Sequence, residues 1–337
     1  MKVAVMGCGA MGTIIGAYLT KGGIDVDMID NYKAHVDAMN EKGAHIVDHV
    51  DMVVPVHALT PDQMEGYYDI VFLLTKQTAN EAVAKSLLPH LKEDSVVVAM
   101  QNGVPEPFVD RLIGGNRTIG ATMLFGATFV EPGVSAQTMS FTPGYPLFDI
   151  GEMNGLITER VEKVHEVLNH MGPNLIVTNL MEARWNKLVV NACGSGMSAA
   201  LYSVFGPIID DPRALDILTF LGHECALCAE AEGFKLSGKW AYSNLNVPGN
   251  YEKSKAAFFS NYDFQRGAEA SMLQDLKKNQ LSEVRMINGY VCETGDKHGI
   301  DTPYNDMIVE IVEGIGTGKY PRSFENLKLF PNIDYRK

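Results

Sequence analysis

A polar row on one predicted helix carries the residues best suited to chemistry. Lys187, Asn191 and Ser195 follow one another at four-residue steps within residues 182–200, where most other side chains are small or apolar. This spacing places the three side chains on one face of an α-helix. Burial lowers the pKa of a lysine ammonium, so Lys187 could donate a proton near neutral pH. Alternatively, Lys187 extends from the helix end into solvent and Asn191 only fills a packing defect.

Two further polar residues follow segments that are typical of buried parallel strands. Lys76 comes after the apolar residues 69–75, and Asn102 comes after residues 95–100. The carboxyl ends of parallel strands meet at one edge of an open sheet, which is where ligands bind. Asn102 also begins an Asn-Gly turn and a single lysine is commonly solvated, so both residues could instead belong to ordinary loops.

A glycine pattern at the start of the chain indicates what that edge would bind. Residues 2–6 are a short, mostly apolar segment, and Gly7, Gly9 and Gly12 follow it as G-x-G-x-x-G before a predicted helix. In a strand–turn–helix unit these glycines allow a tight turn, the approach of a pyrophosphate, and close packing of the helix on the strand. Asp30 lies 18 residues after Gly12, at the end of the second predicted strand, where an acid binds a ribose diol. The pattern therefore predicts a dinucleotide site.

Asp30 also indicates which dinucleotide is bound. A carboxylate would accept hydrogen bonds from ribose hydroxyls and repel a 2′-phosphate, so we expect NAD over NADP, with NADH favoured as the reduced form. Lys33 is close enough in the sequence to leave NADPH open. The predicted cofactor-binding residues are Gly7, Gly9, Ala10, Met11, Gly12, Asp30, Lys76 and Asn102.

The composition argues against several classes of function. The 337-residue chain has a formal net charge of −13 at pH 7, which argues against nucleic-acid and anionic-membrane partners. No apolar segment approaches the ~20 residues of a membrane span, and a strand begins at once, so we expect neither a membrane helix nor a signal peptide. The five cysteines are odd in number and scattered, which fits reduced thiols in a cytoplasmic protein. His223, Cys225 and Cys228 spread around a predicted helix, so we expect no metal site.

The order of the predicted elements gives the fold class. Strands and helices alternate through the first half of the chain, and the second half is almost wholly helical. We predict an α/β N-terminal domain with a Rossmann-type doubly wound sheet, residues 1–180, and an all-α C-terminal domain, residues 181–337. The patterns suggest antiparallel strands in 118–150, one long helical stretch in 270–298, and a lid or surface excursion in 237–264.

Several stretches taken together resemble one enzyme family. They are MGCGAMG, the lysine after the fourth strand, the QNG turn, WNKLVVN, and SMLQD followed by SEVRMING. Over about residues 1–315 the chain resembles the ketopantoate reductase (2-dehydropantoate 2-reductase) family, within the wider 6-phosphogluconate-dehydrogenase-like group. The resemblance implies a nucleotide-binding domain joined to a helical domain, with substrate bound between them. It also implies hydride transfer from a nicotinamide cofactor to the ketone of a 2-oxo acid.

The resemblance assigns roles to single residues. Lys187 matches the family's catalytic lysine, the proposed general acid, and Glu283 matches the acid that assists the lysine or the substrate. Asn191 and Ser271 match substrate-binding positions, while Lys76 and Asn102 match residues on the cofactor and substrate side of the first domain. The predicted catalytic residues are Lys187 and Glu283, and the predicted substrate-binding residues are Asn191, Ser195, Ser271 and Asn102.

Two features need explanation within this resemblance. Ser195 stands where the family usually has a second asparagine, and a hydroxyl cannot make the two-sided contact of an amide. Ser271 and Glu283 are 12 residues apart, about 18 Å along a straight helix, which is too far for both to touch a six-carbon substrate. Either the helix breaks between them or one of them acts indirectly.

Three functions follow as hypotheses. The first is reduction of 2-dehydropantoate, or a similar branched 2-oxo acid, to the D-2-hydroxy acid. The second is an NAD-dependent branched or aromatic D-2-hydroxy-acid dehydrogenase of the mandelate type, which Asp30 and Ser195 favour. The third, from another class, is a non-catalytic dinucleotide sensor. The expected partner is a small-molecule 2-oxo acid, with neither nucleic acid nor membrane, and the helical domain makes a homodimer plausible.

Overall fold

The computed structural model describes residues 1–336, which form two compact units. The first unit consists of Met1–Gln101 and Pro105–Leu180, and the second of Asn102–Val104 and the residues from Met181 onward. Within residues 1–336, no helix combines the length and the apolar character that crossing a bilayer requires.

The first unit alternates strands with helices. Its strands are β1 Val3–Met6, β2 Val26–Ile29, β3 Ala44–Asp48, β4 Met52–Val54, β5 His57–Leu59, β6 Tyr68–Leu73, β7 Leu91–Ala99, β8 Thr118–Met123, β9 Ala127–Glu131, β10 Val134–Gln137, β11 Phe148–Gly151 and β12 Leu175–Ile176. Its helices are α1 Ala10–Lys21, α2 Lys33–Lys42, α3 Asn80–Leu87, α4 Glu106–Ile113 and α5 Glu159–Asn169.

Eight of these strands form one sheet in the order β12-β11-β8-β7-β6-β1-β2-β5. Each neighbouring pair is parallel except β11 and β8. β1 lies between β6 and β2, so the chain continues to opposite sides of β1, and ligands bind at the carboxyl edge of such a switch point. The predicted Rossmann-type doubly wound sheet is confirmed.

The strand β1 shows how this sheet is stabilised. Val3 and Val5 pack into one apolar cluster, while Ala4 and Met6 pack into another. Successive side chains of a strand point to opposite faces, so both faces of the sheet are covered at β1. All four residues are therefore buried and apolar, as in parallel strands with helices on both sides.

The region predicted to hold antiparallel strands divides differently. β8 is parallel to β7, because α4, a helix that is absent from the prediction, provides the crossover that parallel neighbours require. β9 and β10 form an antiparallel pair in a separate sheet of order β4-β3-β10-β9. β11 extends the main sheet antiparallel to β8, as the prediction allows.

The second unit is helical. Its helices are α6 Leu180–Val190, α7 Gly196–Ala200, α8 Phe205–Asp210, α9 Pro212–Ala231, α10 Asn250–Asp263, α11 Ser271–Lys277, α12 Val284–His298 and α13 Pro303–Thr317, with α6 and α7 joined by a π-helical turn at Asn191–Ser195. Trp185, Met197, Leu221 and Ile308, from four different helices, share one apolar core. Val104 belongs to the same core, which explains why Asn102–Val104 groups with this unit.

The prediction of one long helix at 270–298 is wrong. α11 ends at Lys277 and α12 begins at Val284. Asn279 adopts a left-handed conformation with φ 53°, and the Ser282 hydroxyl accepts a hydrogen bond from the Val284 N–H at 3.2 Å. Polar residues thus end one helix and start the next, and the break between Ser271 and Glu283 is real.

The segment 237–264 is neither a lid nor a loose surface excursion. It contains a 3₁₀ turn at Gly238–Tyr242 followed by α10, which packs on α9. Phe258 and Tyr262 of α10 are almost fully buried. The segment is therefore part of the core of the helical unit.

Candidate active site

The absence of a side chain has a different structural consequence at each of the three glycines after β1. Gly7 has φ +98°, and a Cβ there would lie 2.5 Å from the Thr75 backbone nitrogen. A Cβ on Gly12 would lie 2.1 Å from the Gly7 carbonyl oxygen, so Gly12 allows α1 to pack closely on the loop. A Cβ on Gly9 would meet nothing within 4 Å. The backbone at Gly9 is thus open to a ligand, as a pyrophosphate site requires.

The start of α1 fits an anionic ligand. The helix begins at Ala10, with Gly9 as its N-cap, and its first turn, which includes Met11, carries no acidic side chain. The N-terminus of a helix presents backbone N–H groups and the positive end of the helix dipole. These features fit the phosphates of a dinucleotide.

His35 is a residue of this site that the sequence did not indicate. Its Nδ1 accepts from the Gly133 N–H at 2.8 Å, so Nε2 carries the proton and donates to the Cys8 carbonyl at 2.6 Å. The Thr13 hydroxyl donates to the carbonyls of Cys8 and Gly9 at 2.7 Å and 2.8 Å. Burial lowers the pKa of His35, which keeps the ring neutral. Together these bonds fix the backbone of the glycine loop.

Asp30 lies just beyond the end of β2, as predicted. Its backbone N–H donates to the Leu59 carbonyl at 3.1 Å, and its Oδ1 accepts from the Tyr32 N–H at 2.9 Å. The side chain is thereby oriented by its own loop. This is the position from which an acid reaches a ribose in dinucleotide-binding folds.

Lys76 and Asn102 fall in different units. Lys76 is exposed beyond β6 and precedes a 3₁₀ turn, Gln77–Ala79. The Gln101 amide donates to the Thr75 carbonyl at 2.7 Å and to Asn80 Oδ1 at 2.6 Å, which fixes the loop that carries Lys76. Asn102, the next residue, groups with the helical unit.

The polar row of the second unit spans a change in helix type. Lys187 is partly buried in the last turn of α6, Asn191 is the first residue of the π turn, and Ser195 is its last. The Gly196 N–H donates to the Asn191 carbonyl, five residues back, which identifies the wider turn. On an α-helix, a residue four positions on is rotated by about 40°. The wider turn rotates each residue less, so Ser195 points in a different direction relative to Asn191 than it would on an uninterrupted α-helix.

Asn191 carries an unusual feature. Its Nδ2 is buried and has no hydrogen-bond partner among residues 1–336. Leaving a buried amide donor without an acceptor costs about 1–3 kcal/mol, so such groups mark positions where a further acceptor is expected.

The helices that carry Ser271 and Glu283 meet the same turn. Ser271 is the first residue of α11, and the buried Glu283 immediately precedes α12. Both helices pack against the π turn at Asn191–Ser195. The break between them removes the constraint that a single straight helix would impose on the two side chains.

The group His223, Cys225 and Cys228 is part of the packed interior. His223 accepts from the Leu245 N–H at 3.1 Å, and burial lowers its pKa to about 4. Both cysteine thiols are fully buried. Across residues 1–336, no three His, Cys, Asp or Glu side chains are arranged to hold a metal ion.

Comparison with known proteins identifies one family over most of the chain. The family model described as Ketopantoate reductase PanE/ApbA matches residues 3–154, and its C-terminal counterpart matches residues 179–316. The 2-dehydropantoate 2-reductase of Archaeoglobus fulgidus is 27% identical over 323 residues, covering 94% of this chain and 98% of that protein.

Solved structures share the fold. A PanE/ApbA family ketopantoate reductase from Ralstonia eutropha JMP134 has a TM-score of 0.81 and 25% identity, covering 95% of this chain and 99% of that chain. D-mandelate dehydrogenase, solved with NADH and anilino(oxo)acetate, has a TM-score of 0.81 and 23% identity, covering 94% and 99% of the two chains.

Proposed function

This chain belongs to the ketopantoate reductase PanE/ApbA family, and we propose that it reduces the ketone of 2-dehydropantoate, or of a similar branched 2-oxo acid, to the D-2-hydroxy acid. A reduced nicotinamide dinucleotide, when bound, supplies the hydride. In this proposal the first unit holds the dinucleotide, and the second supplies the general acid and most of the substrate contacts. The match of one family model to each part of the chain supports the assignment.

We assign the general acid to Lys187. Hydride that reaches C2 of a 2-oxo acid builds negative charge on the ketone oxygen. An ammonium beside that oxygen stabilises the charge and then donates its proton to it. Lys187 is partly buried and lies one turn before Asn191 on the same helix. Glu283, which is buried at the start of α12, would assist the lysine or the substrate.

The observation that carries the proposal is the buried Nδ2 of Asn191. This donor has no acceptor among residues 1–336 and lies one turn from an ionisable lysine. A 2-oxo acid offers carboxylate and ketone oxygens, which are the acceptors such a donor requires. Ser195 and Ser271 would add hydroxyl contacts, and Asn102 an amide contact.

We infer that NADH is the preferred reductant. Asp30 is oriented at the end of β2, where a carboxylate favours a ribose diol over a 2′-phosphate. Lys33, the cation nearest to it in sequence, pairs with Asp37 at 2.7 Å. The glycine loop and Lys76 complete the proposed dinucleotide site.

A mandelate-type activity is the second candidate. Ser195 occupies less volume than the asparagine usual in this family, so it leaves space for a bulkier substrate side chain. The NADH preference inferred from Asp30 points the same way. This candidate keeps the roles of Lys187 and Asn191 and changes only the oxo acid.

Steady-state kinetics with four substrate pairs test the proposal. 2-Dehydropantoate and phenylglyoxylate are each compared with NADH and with NADPH. We expect the highest kcat/KM for 2-dehydropantoate with NADH. Fast reduction of phenylglyoxylate beside negligible reduction of 2-dehydropantoate would establish the second candidate instead. NADH binding without turnover of either acid would indicate a dinucleotide sensor.

A further inference from the structure

Two buried side chains from other helices donate hydrogen bonds to the turn that carries Asn191. The Tyr262 hydroxyl of α10 donates to the Val190 carbonyl at 2.9 Å. The Asn288 amide of α12 donates to the Ala192 carbonyl at 3.0 Å. Tyr262 is 1% exposed and Asn288 is 0% exposed, so both donor side chains are shielded from bulk water.

The wider turn explains why these two bonds are needed. In an α-helix each carbonyl accepts from the N–H four residues ahead. At Asn191–Ser195 the pattern shifts to five residues, which disturbs the carbonyls on either side of Asn191. Buried carbonyls require a hydrogen-bond partner, and Tyr262 and Asn288 each provide one.

Two glycines make room for these side chains. A Cβ on Gly194 would lie 2.3 Å from the Tyr262 hydroxyl oxygen, well inside contact distance. A Cβ on Gly196 would lie 3.0 Å from the amide atoms of Asn288. The absence of side chains at the two glycines of the N-A-C-G-S-G segment therefore lets Tyr262 and Asn288 reach the backbone of the turn.

Asn288 is itself held in place. Its Nδ2 also donates to Asn305 Oδ1 at 2.9 Å. The Asn305 amide donates in turn to the buried Glu224 carboxyl group at 2.7 Å. The donor that reaches the Ala192 carbonyl is thus fixed by a chain of buried polar groups.

We propose that Tyr262 and Asn288 are positioning residues of the oxo-acid site. By donating hydrogen bonds to the carbonyls of Val190 and Ala192, they maintain the π turn that sets the directions of the Asn191 and Ser195 side chains relative to Lys187. This inference rests on the proposed function, because it assigns a role to that same site. Neither residue is assigned a contact with the substrate.

Tyr262→Phe is the sharpest test, because it removes one hydroxyl and keeps the ring that stacks on Phe205. Tyr304→Phe is the matched control, since Tyr304 is also 1% exposed and its hydroxyl also bonds a backbone carbonyl, that of Ile333. In Tyr262→Phe we expect KM for the best 2-oxo acid to rise about tenfold, equivalent to about 1.4 kcal/mol. The Kd for NADH should stay within about twofold of the wild-type value.

Hydrogen–deuterium exchange of the amides of residues 191–196 provides a readout that does not depend on activity. These amides should exchange faster in Tyr262→Phe and Asn288→Ala than in the wild type. Their exchange rates in Tyr304→Phe should equal those of the wild type. Unchanged exchange and KM in a folded Tyr262→Phe would overturn the inference, as would an equal rise in KM in Tyr304→Phe. Wild-type turnover in Lys187→Ala would instead refute the proposed function itself.

Discussion

Lys33 and Asp37 form an ion pair one turn apart on α2, with Nζ 2.7 Å and 2.9 Å from the two carboxylate oxygens. Both side chains are more than half exposed, so the pair contributes only about 0–1 kcal/mol. The pair matters for cofactor binding, because Asp37 engages the Lys33 ammonium, which could otherwise attract a 2′-phosphate. The NADH preference that we propose would then depend mainly on Asp30.

Asp30→Asn should relax the preference for NADH. The amide oxygen can still accept from the Tyr32 N–H, so the loop keeps its shape while the negative charge is lost. We expect the ratio of kcat/KM for NADH to that for NADPH to fall about tenfold or more, because the repulsion of a 2′-phosphate is removed. Asp37→Ala is the companion variant, since it releases Lys33. An unchanged ratio in both variants would mean that other residues discriminate between the ribose hydroxyl of NADH and the 2′-phosphate of NADPH.

His35→Leu should weaken NADH binding indirectly, through the glycine loop that His35 holds in place. The variant loses the donor to the Cys8 carbonyl and the acceptor for the Gly133 N–H, so the glycine loop is less well fixed. We expect Kd for NADH to rise about tenfold, measured by fluorescence titration. His35→Gln, which offers both a donor and an acceptor, should recover part of the affinity. Equal affinity in His35→Leu would show that Thr13 alone holds the loop.

Lys187→Ala and Lys187→Arg separate the two tasks assigned to the lysine. Alanine removes both the charge and the proton, so kcat should fall by about 10²–10⁴-fold. Arginine keeps the charge but cannot release a proton near neutral pH, so it should recover only the electrostatic part. Lys278→Ala, at an exposed lysine of the same unit, is the control. Stopped-flow measurement of NADH oxidation gives the rates, and a loss of NADH affinity equal to the loss of kcat would contradict the assignment.

The glycine loop was predictable from the sequence because its requirements are local. Gly7 needs a positive φ and Gly12 lies against the Gly7 carbonyl, so the spacing of these glycines follows from the strand–turn–helix unit itself. The break at 278–283 was also readable, since Asn279 and Ser282 are typical of helix ends. The length of the apolar pattern on either side favoured one helix instead.

The π turn and the role of His35 could not be predicted in the same way. The π turn depends on Tyr262 and Asn288, which lie dozens of residues downstream of Asn191 in the chain. His35 acts through Gly133, almost one hundred residues away. Such long-range polar contacts follow from the tertiary packing and leave no periodic signal in the sequence.

Glu224 is the buried anchor of the helical unit's C-terminal part. One carboxyl oxygen accepts from the Tyr304 N–H and the Tyr335 hydroxyl, both at 2.9 Å. The other accepts from the Asn305 N–H at 2.9 Å and the Asn305 amide at 2.7 Å. Burial nevertheless raises the pKa of Glu224 to about 7, because desolvation outweighs these four donors.

Glu224→Gln should destabilise the protein and change its pH dependence. The glutamine NH₂ cannot accept, so one pair of donors loses its acceptor, at about 1–3 kcal/mol for each. Glu232→Gln, which alters only partly exposed pairs with Lys297 and His298, is the control and should cost less than about 1 kcal/mol.

The pH dependence follows from two neighbours with opposite shifts. Between its ordinary pKa of about 4.3 and about 7, the folded Glu224 holds a proton that the unfolded chain has released, so its contribution to stability falls as pH rises. Burial lowers the pKa of His223 to about 4, so its contribution rises with pH up to the ordinary value of about 6.5. In the wild type the two slopes oppose each other. Glu224→Gln removes the falling slope and leaves the rising slope of His223, to which the lowered pKa of His35 adds. The free energy of unfolding, measured by urea titration, should therefore increase from pH 4.5 to 6.5. A profile parallel to that of the wild type would contradict the raised pKa of Glu224.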